Sequence, residues 1–208
     1  MTFSMKFSIL RLSVIATSLL GGCTGGGADA DEVVCGAPED LQGTFDLMEG
    51  CTRFRGSIHV SDSDQMDLSG LDSLRAVDGY VSIFRNRNMT SLHGLENLET
   101  VGKFMSISLD DSLEDLDALS NLRSVGGDLT LRLLGIRAVR LPSLCTVEGT
   151  LEVLSNPTLE SLDFGCLSEV GGDLDISANG LLPEHEAWRI ASELDVAGEI
   201  TIEDNLSR

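Results

Sequence analysis

A short motif recurs along most of this chain, and it constrains the fold more than any other feature of the sequence. The motif reads V-x-G-x-φ-x-φ, where φ is an aliphatic residue, and its copies follow one another about every 23 residues. Copies begin at Val77, Val101, Val125, Val147, Val170 and Val196, and a partial copy begins at Phe54. Seven copies at nearly one spacing predict a solenoid, in which each copy occupies one turn.

The φ-x-φ part of each copy predicts a short strand with one buried face. Side chains alternate between the two faces of a strand, so both φ residues of a copy point to the same side. The pairs are Ile58/Val60, Val81/Ile83, Met105/Ile107, Leu129/Leu131, Leu151/Val153, Leu174/Ile176 and Ile200/Ile202. Stacking the turns would place these aliphatic residues in one continuous column.

Between the strands, leucines recur at every third residue. Leu68, Leu71 and Leu74 precede Val77, and similar sets precede the next two copies of the motif. This spacing is too tight for a long amphipathic helix and favours short extended or 3₁₀ segments, each with one side chain inside. An aliphatic core is therefore expected, in agreement with an aromatic content of only 4%.

Asparagine recurs in a fixed phase, three residues beyond the second φ. The four positions are Asn86, Asn156, Asn179 and Asn205. Asparagine tolerates left-handed backbone, and its amide can bond to the main chain of a neighbouring turn. We therefore predict a structural ladder of asparagines at one corner of the solenoid.

Both ends of the solenoid are predicted to carry short capping helices, since a stack of turns must cover its terminal apolar face and sheet edge. At the front, residues 38–40 suit the first turn of a helix that continues through Leu41 to Met48. At the rear, a helix is expected to start at Pro183. Its expected buried side consists of Trp188, Ile190, Ala191 and Leu194.

Four of the five cysteines are expected to form disulfides. Cys35 and Cys51 flank the predicted front helix, and Cys145 and Cys166 are separated by nearly one repeat. Neighbouring parallel strands lie about 4.8 Å apart, and a disulfide needs Cα atoms roughly 4.4 to 6.8 Å apart. We predict the pairs Cys35–Cys51 and Cys145–Cys166, which suit an oxidising compartment.

Residues 1–22 are typical of an export signal. Lys6 and Arg11 precede an apolar run over residues 12–20, which is too short to span a bilayer. The sequence Leu-Leu-Gly-Gly-Cys ending at Cys23 resembles the lipobox of bacterial lipoproteins, in which the cysteine is lipidated and becomes the mature N-terminus. An ordinary secretory signal with a free thiol at Cys23 is the alternative.

The lipobox resemblance implies a protein that is exported and attached to a membrane through its N-terminal lipid. Because Thr24 rather than Asp follows the cysteine, the resemblance favours the outer membrane, with the protein facing the periplasm or the cell surface. Residues 23–34 are Gly-rich, acidic and without apolar periodicity, and they are interpreted as a flexible tether.

From about Cys35 to Asn205 the chain resembles the receptor L domain, the leucine-rich-repeat-like right-handed β-helix of insulin-receptor and epidermal-growth-factor-receptor ectodomains. The resemblance rests on the Cys-flanked front segment, the G-x-φ-x-φ strands and the φ-x-G-L-x-x-L-x-x-V pattern of residues 68–77 and 92–101. It implies a mainly β domain over residues 35–208: a right-handed solenoid of about seven turns with capping helices at both ends. Hormone reception does not carry over, because no Cys-rich module, membrane span or kinase accompanies the domain.

The charge balance excludes nucleic acid as a partner. The chain has 34 Asp and Glu against 14 Lys and Arg, a net charge of −20. Nucleic-acid binding draws most of its affinity from basic residues that displace counterions, and such residues are scarce here.

A candidate binding surface lies on the outward face of the predicted strands. Tyr80 and Phe104 are expected to be neighbours on adjacent turns, and an aromatic pair on a polar face is typical of contact sites. Together with the outward positions nearby, the surface comprises Tyr80, Phe84, Phe104, Ser82, Ser106 and Thr130. A loop or cap that covers the aromatic residues is the alternative.

The sequence contains no recognisable catalytic, metal or cofactor motif. His185-Glu186 lacks the second histidine of a zinc peptidase motif, because Arg189 stands there. Asp62, Asp64 and Asp67 lack the glycine and terminal glutamate of a calcium loop. No catalytic residue, metal or cofactor is therefore predicted.

These observations favour a non-enzymatic, lipid-anchored cell-envelope protein that uses its strand sheet as a platform for a protein or glycan, or that has a structural role. The alternative is a β-helical carbohydrate-active enzyme, a polysaccharide lyase or hydrolase. Such an enzyme should cluster aspartates with basic residues on one face, whereas the basic residues here lie mostly in turns, such as Arg85 and Arg87.

Overall fold

The structure is a computed structural model that describes residues 32–36, 41–42, 45 and 48–207. The export signal of residues 1–22, the lipidation site at Cys23 and the tether up to residue 31 lie outside this part of the chain. No helix among the described residues is long and apolar enough to cross a membrane.

The described chain winds as a β-solenoid of about seven turns with a period of about 23 residues, as the repeat predicted. Among the residues that the structure describes, eighteen short strands, β1 to β18 in chain order, form two parallel sheets of eight strands and a small sheet of two. The short-strand sheet consists of β1 (Val34–Cys35), β3 (Arg53–Phe54), β5 (Ala76–Val77), β7 (Thr100–Val101), β9 (Ser124–Val125), β12 (Thr146–Val147), β15 (Glu169–Val170) and β17 (Asp195–Val196). The long-strand sheet consists of β2 (Leu41–Gln42), β4 (Ile58–Ser61), β6 (Val81–Phe84), β8 (Met105–Ser108), β10 (Leu129–Arg132), β13 (Leu151–Leu154), β16 (Leu174–Ser177) and β18 (Ile200–Thr201). The remaining elements are β11 (Ala138–Arg140), which pairs with β14 (Ser161–Asp163), a 3₁₀ turn over Asp117–Leu119, and helix α1 (Glu184–Glu193).

Strand pairing keeps equivalent motif positions in register from turn to turn. In the long-strand sheet, Leu129 pairs with Met105 on one side and with Leu151 on the other. In the short-strand sheet, Val125 pairs with Val101 and Val147. The sequence repeat therefore corresponds to a physical stack in which each motif position forms a column.

These columns build the aliphatic core. The φ residues of the first six pairs are buried, and so are the leucines spaced by three residues, such as Leu68, Leu71 and Leu74. The last pair differs, since Ile200 is 42% exposed and Ile202 is only partly buried. Burial of the column thus ends at the last turn.

The glycine of the motif lies where consecutive turns approach most closely. A Cβ atom on Gly172 would stand 2.8 Å from the carbonyl carbon of Gly149, and one on Gly79 would stand 2.5 Å from the carbonyl oxygen of Gly56. Neither distance leaves room for a side chain. Glycine is therefore needed at these two positions, although the copy that begins at Val101 carries Lys103 there.

The predicted asparagine ladder forms at the corner that follows each long strand. Asn179 is fully buried, its Oδ1 accepts the main-chain N–H of Asn156 at 3.1 Å, and its Nδ2 donates to the carbonyl oxygen of Val153 at 2.8 Å. The residue before each ladder position has left-handed backbone, with φ between 49° and 61°. The ladder thus supplies hydrogen-bond partners to a tight corner that lies inside the protein.

At the rear, α1 confirms the predicted helix, but its buried side differs in one residue. Ala187, Ile190 and Ala191 are buried, whereas Trp188 is 49% exposed. The buried residues follow the spacing of one helix face, and Trp188 lies beside that face rather than on it. The placement of Trp188 on the buried side was wrong.

At the front, the predicted helix is wrong at Leu41 and Gln42. These residues form β2 and pair in parallel with Ile58 and His59 of β4. An extended segment here satisfies the hydrogen-bonding edge of β4, which a helix would leave open. The remaining described residues of this segment, Phe45 and Met48, are buried against the core.

Both predicted disulfides form. Cys35 and Cys51 join the first strand of the short-strand sheet to the front segment, with Cα atoms 5.8 Å apart. Cys145 and Cys166 join consecutive turns, with Cα atoms 4.8 Å apart. The second separation equals about one strand spacing, as expected for equivalent corners of a stack.

Candidate functional site

The predicted binding surface is assembled on the outward face of the long-strand sheet. Tyr80 and Phe104 directly precede β6 and β8, and their rings stack with centroids 4.6 Å apart and planes 6° from parallel. This separation matches the spacing of the strands that carry them. The two rings cover each other's facing sides and form an aromatic ridge, in which Phe104 remains 39% exposed.

Phe84 extends the aromatic surface along β6. Burial alternates along this strand, so Ser82 and Phe84 point outward while Val81 and Ile83 point inward. The guanidinium of Arg85 lies 5.4 Å from the centre of the Phe84 ring. We call Tyr80, Phe84 and Phe104 the aromatic patch.

An ion pair borders the aromatic patch. Arg85 donates to both carboxylate oxygens of Asp62, at 2.6 and 2.9 Å. These hydrogen bonds lower the pKa of Asp62 and raise that of Arg85. The pair fixes the guanidinium beside Phe84, although both groups remain exposed to solvent.

The predicted hydroxyl residues form a row beside the aromatic ridge. Ser82 pairs with Ser106, which pairs with Thr130 on the next strand. The Thr130 hydroxyl donates to Glu152 Oε2 at 2.9 Å, and the Ser106 and Ser108 hydroxyls lie 3.2 Å apart. All six residues of the predicted surface therefore lie on one face across three adjacent strands.

Towards the rear the same face becomes acidic. Its outward acidic residues are Asp128, Glu152, Asp173, Asp175 and Glu199. Two of them bond to the main chain: Asp128 Oδ1 accepts the N–H of Thr150 at 2.9 Å, and Asp173 Oδ1 accepts the N–H of Glu199 at 2.8 Å. The carboxylates that the enzyme alternative would use as catalytic groups thus join successive turns.

A groove lies beside the asparagine corner. It encloses about 500 Å³ and is lined by apolar Leu109, Leu133 and Leu134 and by Arg85, Arg87 and Asp111. Leu109 and Leu133 have φ values of 61° and 53°. Leucine rarely adopts this left-handed conformation, because its Cβ crowds the backbone.

Two adjacent turns bring together three side chains of the types that bind metals, Asp72 from one turn and His93 and Glu96 from the next. His93 Nδ1 lies 2.7 Å from Glu96 Oε1, and His93 Nε2 lies 3.8 Å from Asp72 Oδ1. The two ring nitrogens thus face different carboxylates. The hydrogen bond to Glu96 and the charges of both acids raise the pKa of His93, so the group forms an ion-pair bridge between turns.

The buried acidic residue Asp110 was not predicted from the sequence. Asp110 occupies a ladder position, three residues after the second φ of its turn, and is fully buried. Its phase in the repeat is the signal that could have identified it. Leu134 occupies the next ladder position, where it interrupts the series of polar side chains.

The front half of the solenoid is similar to a known family. Residues 50–108 match the family model of the receptor L domain. No curated protein and no solved structure matches the chain significantly. The matched segment contains Tyr80, Phe84 and Phe104, so the aromatic patch lies within the part of the chain that carries the receptor L domain pattern.

Proposed function

We propose that this protein is a non-enzymatic binding module of the cell envelope, and that the aromatic patch is its contact site for a protein or glycan partner. The observation that carries the proposal is the stacked pair of half-buried Tyr80 and exposed Phe104 on a polar sheet face. Exposed aromatic residues on a rigid scaffold are frequent contact residues in interfaces. The receptor L domain pattern over residues 50–108 also supports a recognition role.

The sheet supports such a role mechanically. Tyr80 and Phe104 are attached to strands held by parallel pairing on both sides, and the residues beneath them, Val81 and Met105, are fully buried. A side chain fixed in this way loses little conformational freedom when a partner binds. The acidic residues further along the face would favour a partner that carries basic groups.

The proposal places the protein outside the cytoplasm, attached to a membrane by a lipid on Cys23, in the outer membrane facing the periplasm or the cell surface. It is supported by the lipobox at residues 19–23, and the two disulfides suit an oxidising compartment. Intact mass spectrometry of the protein from native membranes should find an N-terminus at Cys23 with acyl chains. A mature chain with an unmodified Cys23 would contradict the anchor.

The contact site can be tested by crosslinking in native envelopes and by binding to arrayed envelope glycans. The double variant Tyr80→Ser, Phe104→Ser should lose at least tenfold in binding while it keeps the circular dichroism spectrum of the parent. A matched control is Leu181→Ser, Trp188→Ser, which removes two exposed apolar side chains remote from this face. Equal binding by all three proteins would reject the aromatic patch.

The enzyme alternative predicts a different result. Purified protein would depolymerise an anionic or neutral glycan, and Asp128→Ala or Asp173→Ala would abolish the activity. Turnover with that dependence would replace the proposed function.

A further inference from the structure

Asp110 is the one acidic residue among the rungs of the asparagine ladder that the structure describes. Its side chain is fully buried, and its Oδ1 accepts the main-chain N–H of Asn86 at 2.6 Å. Its other oxygen, Oδ2, is also buried and has no hydrogen-bond partner within the described part of the chain. Burying a charged oxygen without a hydrogen-bond partner costs free energy, and protonation of the carboxyl group would reduce that cost.

The asparagine rungs show what should face this oxygen. In each of them Oδ1 accepts a main-chain N–H, while Nδ2 donates to the carbonyl oxygen of the second φ residue one turn earlier. Asn179 donates to Val153 at 2.8 Å, and Asn205 donates to Ile176 at 2.6 Å. The same register assigns Asp110 Oδ2 to the place of the amide nitrogen, opposite the carbonyl oxygen of Ile83.

Two oxygen atoms in that arrangement repel each other unless a proton lies between them. We propose that in mild acid Asp110 is protonated in the folded protein and donates a hydrogen bond to the carbonyl oxygen of Ile83, and that loss of this proton at neutral pH weakens the corner. Asp110 then acts as a pH-sensitive rung, complete in mild acid and incomplete at neutral pH.

The charged neighbours do not offer the carboxylate a strong partner. Asp111, on the same turn, raises the pKa of Asp110 by like-charge repulsion. On the preceding turn the guanidinium of Arg85 is held by Asp62, and Arg87 is exposed. The following turn contributes residues 133–135, none of which titrates, and Arg132 before them is exposed.

Burial is the largest influence and raises the pKa of Asp110 to about 6, although hydrogen bonds from Asn86 and from the main chain of Ser108 oppose it. A carboxyl group with a raised pKa in the folded state stabilises the protein most below its unfolded pKa of 3.8. This stabilisation is lost as the pH rises through the folded pKa. The folding equilibrium constant should therefore fall by about 50-fold between pH 4 and pH 7 through this group alone.

The test compares the parent with Asp110→Asn and with the matched control Asp111→Asn, which removes the neighbouring exposed charge. Denaturant unfolding of the purified proteins is measured from pH 4 to pH 8. Asp110→Asn supplies an amide donor at every pH, so its stability should lack the 50-fold decline. The control should keep most of that decline, because Asp111 makes only the smallest contribution to the pKa of Asp110, and both variants lower the general negative charge alike.

A second measurement does not depend on how the variant folds. Carbon-13 NMR of the parent, with the Asp110 carboxyl assigned, should show a titration midpoint near 6. A midpoint below about 4.5, or parallel pH profiles for the parent and a folded Asp110→Asn variant, would overturn the proposal.

Discussion

Single residues at the corners of this solenoid have sharply defined roles. The motif glycines lie where one turn touches the next, and the asparagines beyond the long strands supply hydrogen bonds to buried main chain. Both roles follow from residue type and phase, so the sequence could predict the asparagine ladder. Asp110 was missed because it is an acid in a series recognised by its asparagines, although its Oδ1 accepts the same main-chain hydrogen bond. Leu134 was missed because a leucine side chain forms no hydrogen bond.

At this scale we predict that Gly172→Ala destabilises the protein by about 1–3 kcal/mol, because the added Cβ would meet the main chain of Gly149 at 2.8 Å. Gly180→Ala is the matched control. The nearest atom to its added Cβ, the carbonyl oxygen of Pro157, would be 4.0 Å away, and we expect a change within about 0.5 kcal/mol. Denaturant unfolding measures both, and similar losses for the two variants would contradict the role of Gly172 as a spacer.

Strands and helices were predicted well where apolar residues recur at a regular spacing. They were predicted poorly in the irregular segment that covers the front of the solenoid. Alternating φ residues located β4 to β16 of the long-strand sheet, and charged residues after Pro183 located α1. Residues 41–42 carry no alternation of their own, and their strand conformation comes from pairing with β4. Trp188 was misplaced because hydrophobicity alone suggested burial, whereas its angular position on α1 leaves it half exposed.

For helix α1 we predict that Ile190→Ala destabilises the protein more than Trp188→Ala, although tryptophan has the larger side chain. Ile190 is 5% exposed and packs α1 against the last turns, so its truncation should cost about 2–4 kcal/mol. Trp188 is 49% exposed, so its truncation should cost less than about 1 kcal/mol. Thermal unfolding of the two variants checks this order. A larger loss of stability for Trp188→Ala would support the sequence-based prediction that Trp188 lies on the buried side of α1.

The whole molecule carries a large surplus of negative charge over an aliphatic interior. The basic side chains that could offset it are mostly engaged already, as in the pairs Arg53–Asp78, Arg75–Glu99 and Arg137–Glu160. These pairs are exposed and contribute little individually. The unpaired carboxylates therefore repel one another across the surface.

We predict that raising NaCl from about 20 to about 300 mM at pH 7.5 increases the melting temperature, because salt screens the mutual repulsion of a chain with net charge −20. The same increase should have little effect near the isoelectric point, where the net charge is small. Differential scanning calorimetry at the two pH values measures the difference. A melting temperature that falls with salt at pH 7.5 would mean that attractive pairs outweigh repulsion.

The sequence repeat carries a hazard that the Cys145–Cys166 bridge counters. Because the turns are similar, a turn could pair during folding with the turn after its correct neighbour. Leucines and valines from the wrong turn would still fill the core positions. Such a slip would add roughly one strand spacing of 4.8 Å between these two cysteines, beyond the reach of a disulfide. In the observed alignment the two Cα atoms are 4.8 Å apart, so the disulfide forms only when each turn pairs with its correct neighbour. Oxidation of this pair would thus serve as a check on alignment and would lock the correctly wound chain.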